Sequence, residues 1–139
     1  MLFNPEESID FQGDTGVYIQ YNHAKISAIV RRAESLQMPY NAESFAGLTK
    51  LEKIEVELIQ ALSLFPKAVQ QAAENYSPAE IANYAYDLSK LYSRFYAELS
   101  IFNEQDAAIR SFRIALSAQT AKVIRLTMNL LGIEVPHRM

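Results

Sequence analysis

The chain has no cysteine among its 139 residues, which excludes disulfides and thiolate metal sites. Its only two histidines, His23 and His137, are too few and too far apart for the usual zinc cluster, so no metal is expected. Glycine and proline are scarce, at 4 and 5 residues, and no apolar run approaches the roughly 20 residues that span a bilayer. A soluble protein with no membrane association is expected. The opening Met1-Leu2-Phe3-Asn4-Pro5-Glu6-Glu7 lacks the cationic region and apolar core of a secretory signal, which makes the cytoplasm the expected compartment. The length suits one domain with one core, and is too short to hold a nucleotide-activating catalytic domain as well.

What the chain does have is helical periodicity. Residues 1–16 carry four acids and the turn formers Asn4-Pro5 and Gly13-Asp14-Thr15-Gly16, and read as an irregular lead-in. Over 17–37, Ile19, Ile26, Ile29, Val30, Ala33 and Leu36 recur near a 3.6-residue period and predict the first long helix. Tyr18 lies at the edge of this stripe. Tyr21 projects elsewhere, where it could stack on a base or pack against a loop, and His23 reads more readily as a hydrogen-bonded helix histidine than as a base contact. After a loop over 38–45, Leu48, Leu51, Ile54, Leu58, Leu62 and Phe65 mark a second helix. Its Lys50, Glu52, Lys53, Glu55 and Glu57 are mixed in sign, like a solvated face. Pro66 then kinks or breaks the helix.

Ser77-Pro78-Ala79-Glu80 reads as a capping box, with the Ser77 hydroxyl accepting near Glu80 and Glu80 reaching back. Ile81, Tyr84, Leu88, Leu91, Phe95, Leu99 and Phe102 follow in steps of three and four, and Ile109, Phe112, Leu116, Gln119, Val123, Leu126 and Leu130 do so again beyond a link at 103–106. Two such seams on either side of a short link predict an antiparallel hairpin forming the core. Tyr92 falls near the seam and reads as packing, whereas Tyr96 stands about a quarter-turn off it and is free to face a groove. Gly132 suits a left-handed helix terminus and Pro136 prevents resumption. The expected fold class is therefore all-α, an antiparallel bundle of about four to five helices.

Charge is sorted along the chain. Residues 17–37 carry Lys25, Arg31 and Arg32 against Glu34, and residues 107–139 carry Arg110, Arg113, Lys122, Arg125 and Arg138 against Glu134. These segments net +2 and +4, so against a formal net charge of -3 the rest of the chain nets -9. If the first and last helices are neighbours, an acidic protein has one basic face, the local field that phosphate attraction requires. Tyrosines off the main seams point the same way. Basic faces also bind acidic proteins, and by spacing alone the bundle fits a stand-alone protein-interaction or dimerisation module equally well.

The ending Leu-Leu-Gly-Ile-Glu-Val-Pro-His-Arg-Met over 130–139, preceded by a helix containing Arg-Ile-Ala-Leu-Ser-Ala-Gln-Thr-Ala-Lys-Val-Ile, resembles the carboxyl end of arginyl-tRNA synthetases, many of which finish on Pro-x-Arg-Met. At the other end, Tyr18-Ile19-Gln20-Tyr21-Asn22-His23-Ala24-Lys25 is similar to that family's Gln-Tyr-Ala-His-Ala-Arg signature, departing at Asn22, where Ala is usual, and at Lys25, where Arg is usual. Lys keeps the charge there and loses the planar fork. The resemblance implies an anticodon-binding domain of the DALR type over 17–139, with 1–16 leading in from a missing catalytic domain. Helical anticodon-binding domains of other class I synthetases are the nearest alternative.

The resemblance further implies a longer enzyme that joins arginine to tRNA(Arg) using ATP and Mg2+. On this resemblance the fragment itself would carry no catalytic residues, no cofactor and no activity of its own. Its partners would be tRNA(Arg) and its own catalytic domain, with the protein a monomer. By matched position, Tyr18, Tyr21, Tyr96 and Met139 form the anticodon-loop surface, where bases stack on aromatic rings. Met139 could pack on a base while its terminal carboxylate accepts from base amino groups; the packing alternative is a frayed tail. Lys25, Arg110, Arg113, Lys122, Arg125 and Arg138 are the candidate phosphate contacts.

Overall fold

The computed structural model describes residues 15–132, so most of the lead-in and the Pro136–Met139 ending, with Arg138, lie outside the described residues. Within them the chain is all-α, as the periodicity predicts. Five helices run α1 (Gly16–Ser35), α2 (Lys53–Ser63), α3 (Phe65–Glu74), α4 (Pro78–Glu98) and α5 (Ala107–Leu130), with a 3₁₀ turn at Ala42–Phe45 between the first two.

α4 and α5 form the expected hairpin, but the core is not theirs alone. α1 packs against α5 more extensively than α4 does, and α2 reaches both α4 and α5. The buried cluster accordingly joins Ile19, Ile26, Ile29 and Ala33 of α1, Ile54 and Leu58 of α2, Leu88, Tyr92 and Phe95 of α4, and Ile114, Ile124 and Met128 of α5. Each aliphatic side chain removed from water here contributes about 1.5–3 kcal/mol. α1 runs alongside α4 in the same direction, since Tyr18 reaches Ser93 and Arg32 reaches Phe102.

Sequence and structure part at four places. Leu48 and Leu51 precede α2, which begins at Lys53 because Glu52 and Glu55 make a reciprocal capping box, Glu55 Oε1 accepting from the Glu52 N–H at 2.7 Å. Glu55 is not on a solvated face: it is 2% exposed, and Arg113 Nε of α5 donates to its Oε2 at 3.2 Å. α4 does start after Ser77, but the Ser77 hydroxyl caps nothing, and the Glu80 carboxylate accepts instead from Asn75 Nδ2.

The fourth difference is the α5 seam. Leu126 and Leu130 are exposed and Gln119 faces solvent, while Ser111, Ser117, Thr120 and Thr127 are buried. The Ser117, Thr120 and Thr127 hydroxyls donate to carbonyls three or four residues back in their own helix. Hydroxyls satisfied in this way can enter a core without an unpaired polar group, and their small size lets α1 and α4 approach closely. Other boundaries hold: the helix breaks before Pro66, which sits in the first turn of α3, and Gly132 has φ 74°, the left-handed terminus expected.

Candidate nucleic-acid interface

α1 presents Tyr18, Tyr21 and Lys25 within one arc, three and four residues apart on adjacent turns. Tyr21 is 59% exposed. Tyr18 is half-buried, its ring meeting Tyr86 of α4 edge to face at 5.5 Å between centroids. Its hydroxyl lies 3.1 Å from Ser93 Oγ, which donates at 2.9 Å to Asn22 Oδ1, while Asn22 Nδ2 returns to the Tyr18 carbonyl at 3.0 Å. The phenol is therefore held by the protein, and what Tyr18 offers a ligand is its ring. Asn22, a departure from the sequence signature, is buried and forms part of this clamp. His23 is buried as well, at 1% exposure, and turns inward with the core.

Tyr96 of α4 is 41% exposed, as its position off the seam predicts, and Tyr92 is fully buried. Lys25 Nζ stands 4.1 Å from the Tyr96 ring centroid. A cation over an aromatic face is worth about 0.5–1 kcal/mol at an exposed site, enough to orient the ring and to cover one of its two faces. Tyr18, Lys25 and Tyr96 thus stand along the α1–α4 junction, from positions up to 78 residues apart in sequence, with Tyr21 exposed on the same arc of α1.

The expected phosphate contacts do not gather in the same way. Arg113 is 6% exposed and serves the core: besides the Glu55 contact, its Nη1 donates to the Ser100 carbonyl at 2.7 Å and lies 3.6 Å from Glu104. It joins α2, α5 and the link before α5, and its side chain is not available to a phosphate. Arg110 is half-buried and donates to the Glu104 carbonyl. Lys122 and Arg125 are exposed on α5. Met139 and Arg138 lie outside the described residues.

Two cations that charge counting passed over stand at the junction. A trough of about 650 Å³ beside Tyr18 is lined by Asp87, Lys90, Leu91, Ser93 and Arg94 of α4. Lys90 Nζ is 4.8 Å from the Tyr86 centroid, and Arg94 makes an exposed ion pair with Glu57 at 3.4 Å. Counting cations by segment placed them at the ends of the chain and hid this pair, whose spacing of four on one helix was the available signal. Among the described residues, no group of three or more His, Asp or Glu side chains stands close enough to hold a metal ion, and no helix is long and apolar enough to cross a membrane.

A family model described as the DALR anticodon binding domain matches residues 19–139. The whole chain is 52% identical to a protein named arginine–tRNA ligase from Bacteroides thetaiotaomicron and 50% identical to one of that name from Bacteroides fragilis, in each case over 139 residues that make up 23% of the relative. In three dimensions it superposes on the arginyl-tRNA synthetase of Thermus thermophilus with a TM-score of 0.77 at 28% identity, over 99% of this chain and 23% of that one. The chain thus spans about a quarter of the length of the relatives it matches.

Proposed function

Because the chain belongs to the DALR anticodon binding domain family, we propose that its α1–α4 face reads the anticodon loop of tRNA(Arg), as the recognition part of a longer arginine–tRNA ligase. The observation that supports this reading is the Lys25–Tyr96 contact across the junction that Tyr18 also lines, with Tyr21 exposed beside them on α1. The likeness to proteins named for arginine supplies the amino acid.

The chemistry is that of single-stranded recognition. Arginine codons share a central G, so cognate anticodons share a central C, and that base can be tested only after the loop opens and its edges are exposed. Unstacked bases are held on aromatic rings at about 1–3 kcal/mol each. Tyr21 and the uncovered face of Tyr96 are such platforms, and Tyr18 adds a ring held in place by Ser93 and Asn22. Lys25, Lys122, Arg125 and Arg138 are assigned to the backbone, and Met139 to the loop surface. Ligation itself, with its ATP and Mg2+, belongs to the rest of such an enzyme, and no residue of this chain is assigned to it. The place of action in this reading is the cytoplasm, and the protein partner is the chain's own catalytic domain in a monomeric enzyme.

The test is binding of the 139-residue chain to an arginine tRNA and to the same tRNA with a substituted central anticodon base. Weaker binding of the substituted tRNA is expected. Equal binding of the two would reduce the chain to a phosphate-attracting surface, and no binding to either would leave two readings, a domain too weak without its catalytic partner or a protein-interaction module.

A further inference from the structure

The trough beside Tyr18 is better furnished for a ligand than for the fold. Lys90 and Arg94 lie four residues apart on the exposed side of α4, an arrangement of like charges that costs a helix a few tenths of a kcal/mol. Leu91, Ser93 and Tyr18 line the trough with them, and the Tyr18 hydroxyl lies 3.1 Å from Ser93 Oγ.

We infer that this trough seats the RNA backbone next to the bases held by the tyrosines, with Lys90 and Arg94 each contacting a phosphate. The inference rests on the RNA reading above and moves the main phosphate contacts from α5 to α4. Three observations carry it. Lys90 already stands over Tyr86, whose ring meets the edge of Tyr18, so cation and aromatic surface form one continuous strip. Among the described residues, Arg94 is tied by an exposed contact to Glu57 at 3.4 Å, with the Arg94 side chain 60% exposed. A pair of that kind contributes well under 1 kcal/mol, so a phosphate, which accepts two hydrogen bonds from a guanidinium, displaces it readily. On α5, by contrast, Arg113 and Arg110 are engaged with Glu55, Glu104 and Ser100. Asp87, the one carboxylate that lines the trough, repels phosphate and accepts from base amino groups or ribose hydroxyls, which favours the phosphates on Lys90 and Arg94.

The experiment measures binding of the 139-residue chain to a short RNA hairpin with an arginine anticodon in its loop, over a series of KCl concentrations. The chains compared are the wild type, K90Q/R94Q, the charge-keeping K90R/R94K, and K122Q/R125Q. Each lost phosphate contact removes about 0.7–0.9 from the slope of log affinity against log salt, so K90Q/R94Q is expected to flatten the slope by about 1.5. It should also weaken binding equally for hairpins with native and substituted central bases, because phosphate contacts are blind to sequence. K90R/R94K should retain the wild-type slope. A K90Q/R94Q slope equal to that of the wild type overturns the inference, as does a loss confined to K122Q/R125Q, which would return the contacts to α5. Wild-type binding that ignores the central base, with a flattened slope in K90Q/R94Q, would sustain the phosphate site and defeat the anticodon reading. All four positions are exposed, and matched circular dichroism melts verify that each variant is folded.

Discussion

Tyr96 is the residue at which packing and recognition separate most cleanly. Its neighbour one turn back, Tyr92, is fully buried, its hydroxyl 2.7 Å from Ser117 Oγ, while Tyr96 is 41% exposed with a lysine over one face. Replacing Tyr96 by alanine should therefore cost the ligand more than the fold. Affinity for arginine tRNA is expected to fall by about 1–3 kcal/mol, the worth of one stacked base, with a melting temperature within a few degrees of wild type. A large drop in melting temperature with unchanged binding would make Tyr96 a core residue. Lys25 allows a finer comparison. Lys25→Met keeps the aliphatic stem and removes the charge, and is expected to lower affinity by about 0.5–1 kcal/mol. Lys25→Arg, which restores the residue usual in the signature, should match or exceed wild type, because the guanidinium stacks on rings and grips phosphate with two donors. Unchanged affinity in Lys25→Met would show that the ammonium over the ring is not what matters.

Between elements, the decisive contact is the buried Arg113 of α5 with Glu55 of α2. It was illegible in the sequence for a physical reason: a mixture of signs along 50–57 looks solvated whether or not one of its acids turns inward, and the partner lies 58 residues away. Once the pair is buried, removing one partner strands a charge in the interior. Arg113→Met, which leaves the Glu55 carboxylate buried without its cation, is expected to destabilise the fold by about 3–5 kcal/mol, Glu55→Gln by less because Arg113 keeps Glu104 at 3.6 Å, and the two together by less than their sum. Urea unfolding of the two single variants and the double variant provides the cycle. Additive losses would show that the pair is not coupled. The start of α5 offers a smaller and independent test. Asp106 accepts from the Ala108 and Ile109 N–H groups at 2.9 and 3.2 Å, and Asp106→Ala should cost about 1 kcal/mol without changing RNA affinity.

At the scale of the whole molecule, the all-α architecture, the break at Pro66, the left-handed Gly132 and the inward Tyr92 were all legible, because each follows from a period or from backbone stereochemistry. The α5 seam was not, because its hydroxyls are satisfied by their own helix and leave no apolar mark at Ser117, Thr120 or Thr127. The site was legible only in part: Tyr21 and Tyr96 could be recognised as lying off the seams, whereas the trough at Lys90 and Arg94 depends on α1 lying against α4, which no local pattern encodes. That same convergence makes the whole bundle sensitive to alkali. Burial pushes the Tyr92 phenol well above its ordinary value of 10, with the Ser117 hydrogen bond only partly opposing the shift, and pushes Tyr84 up to about 12. The folded chain thus holds both protons more tightly than the unfolded chain does, so their contribution to stability is complete below pH 10 and is lost as pH rises toward and through the folded values. Stability should hold level up to about pH 9.5 and fall steeply above 10, and since Tyr92 touches α5 through Ser117, near- and far-ultraviolet dichroism should be lost together. Tyr84 donates to the Ala61 carbonyl at 2.7 Å, so Tyr84→Phe lowers stability at neutral pH by about 1 kcal/mol while making the alkaline decline shallower. A decline as steep in Tyr84→Phe as in wild type would assign the alkaline transition to the other raised phenols, Tyr92 and Tyr40, the latter raised by burial and by Glu34.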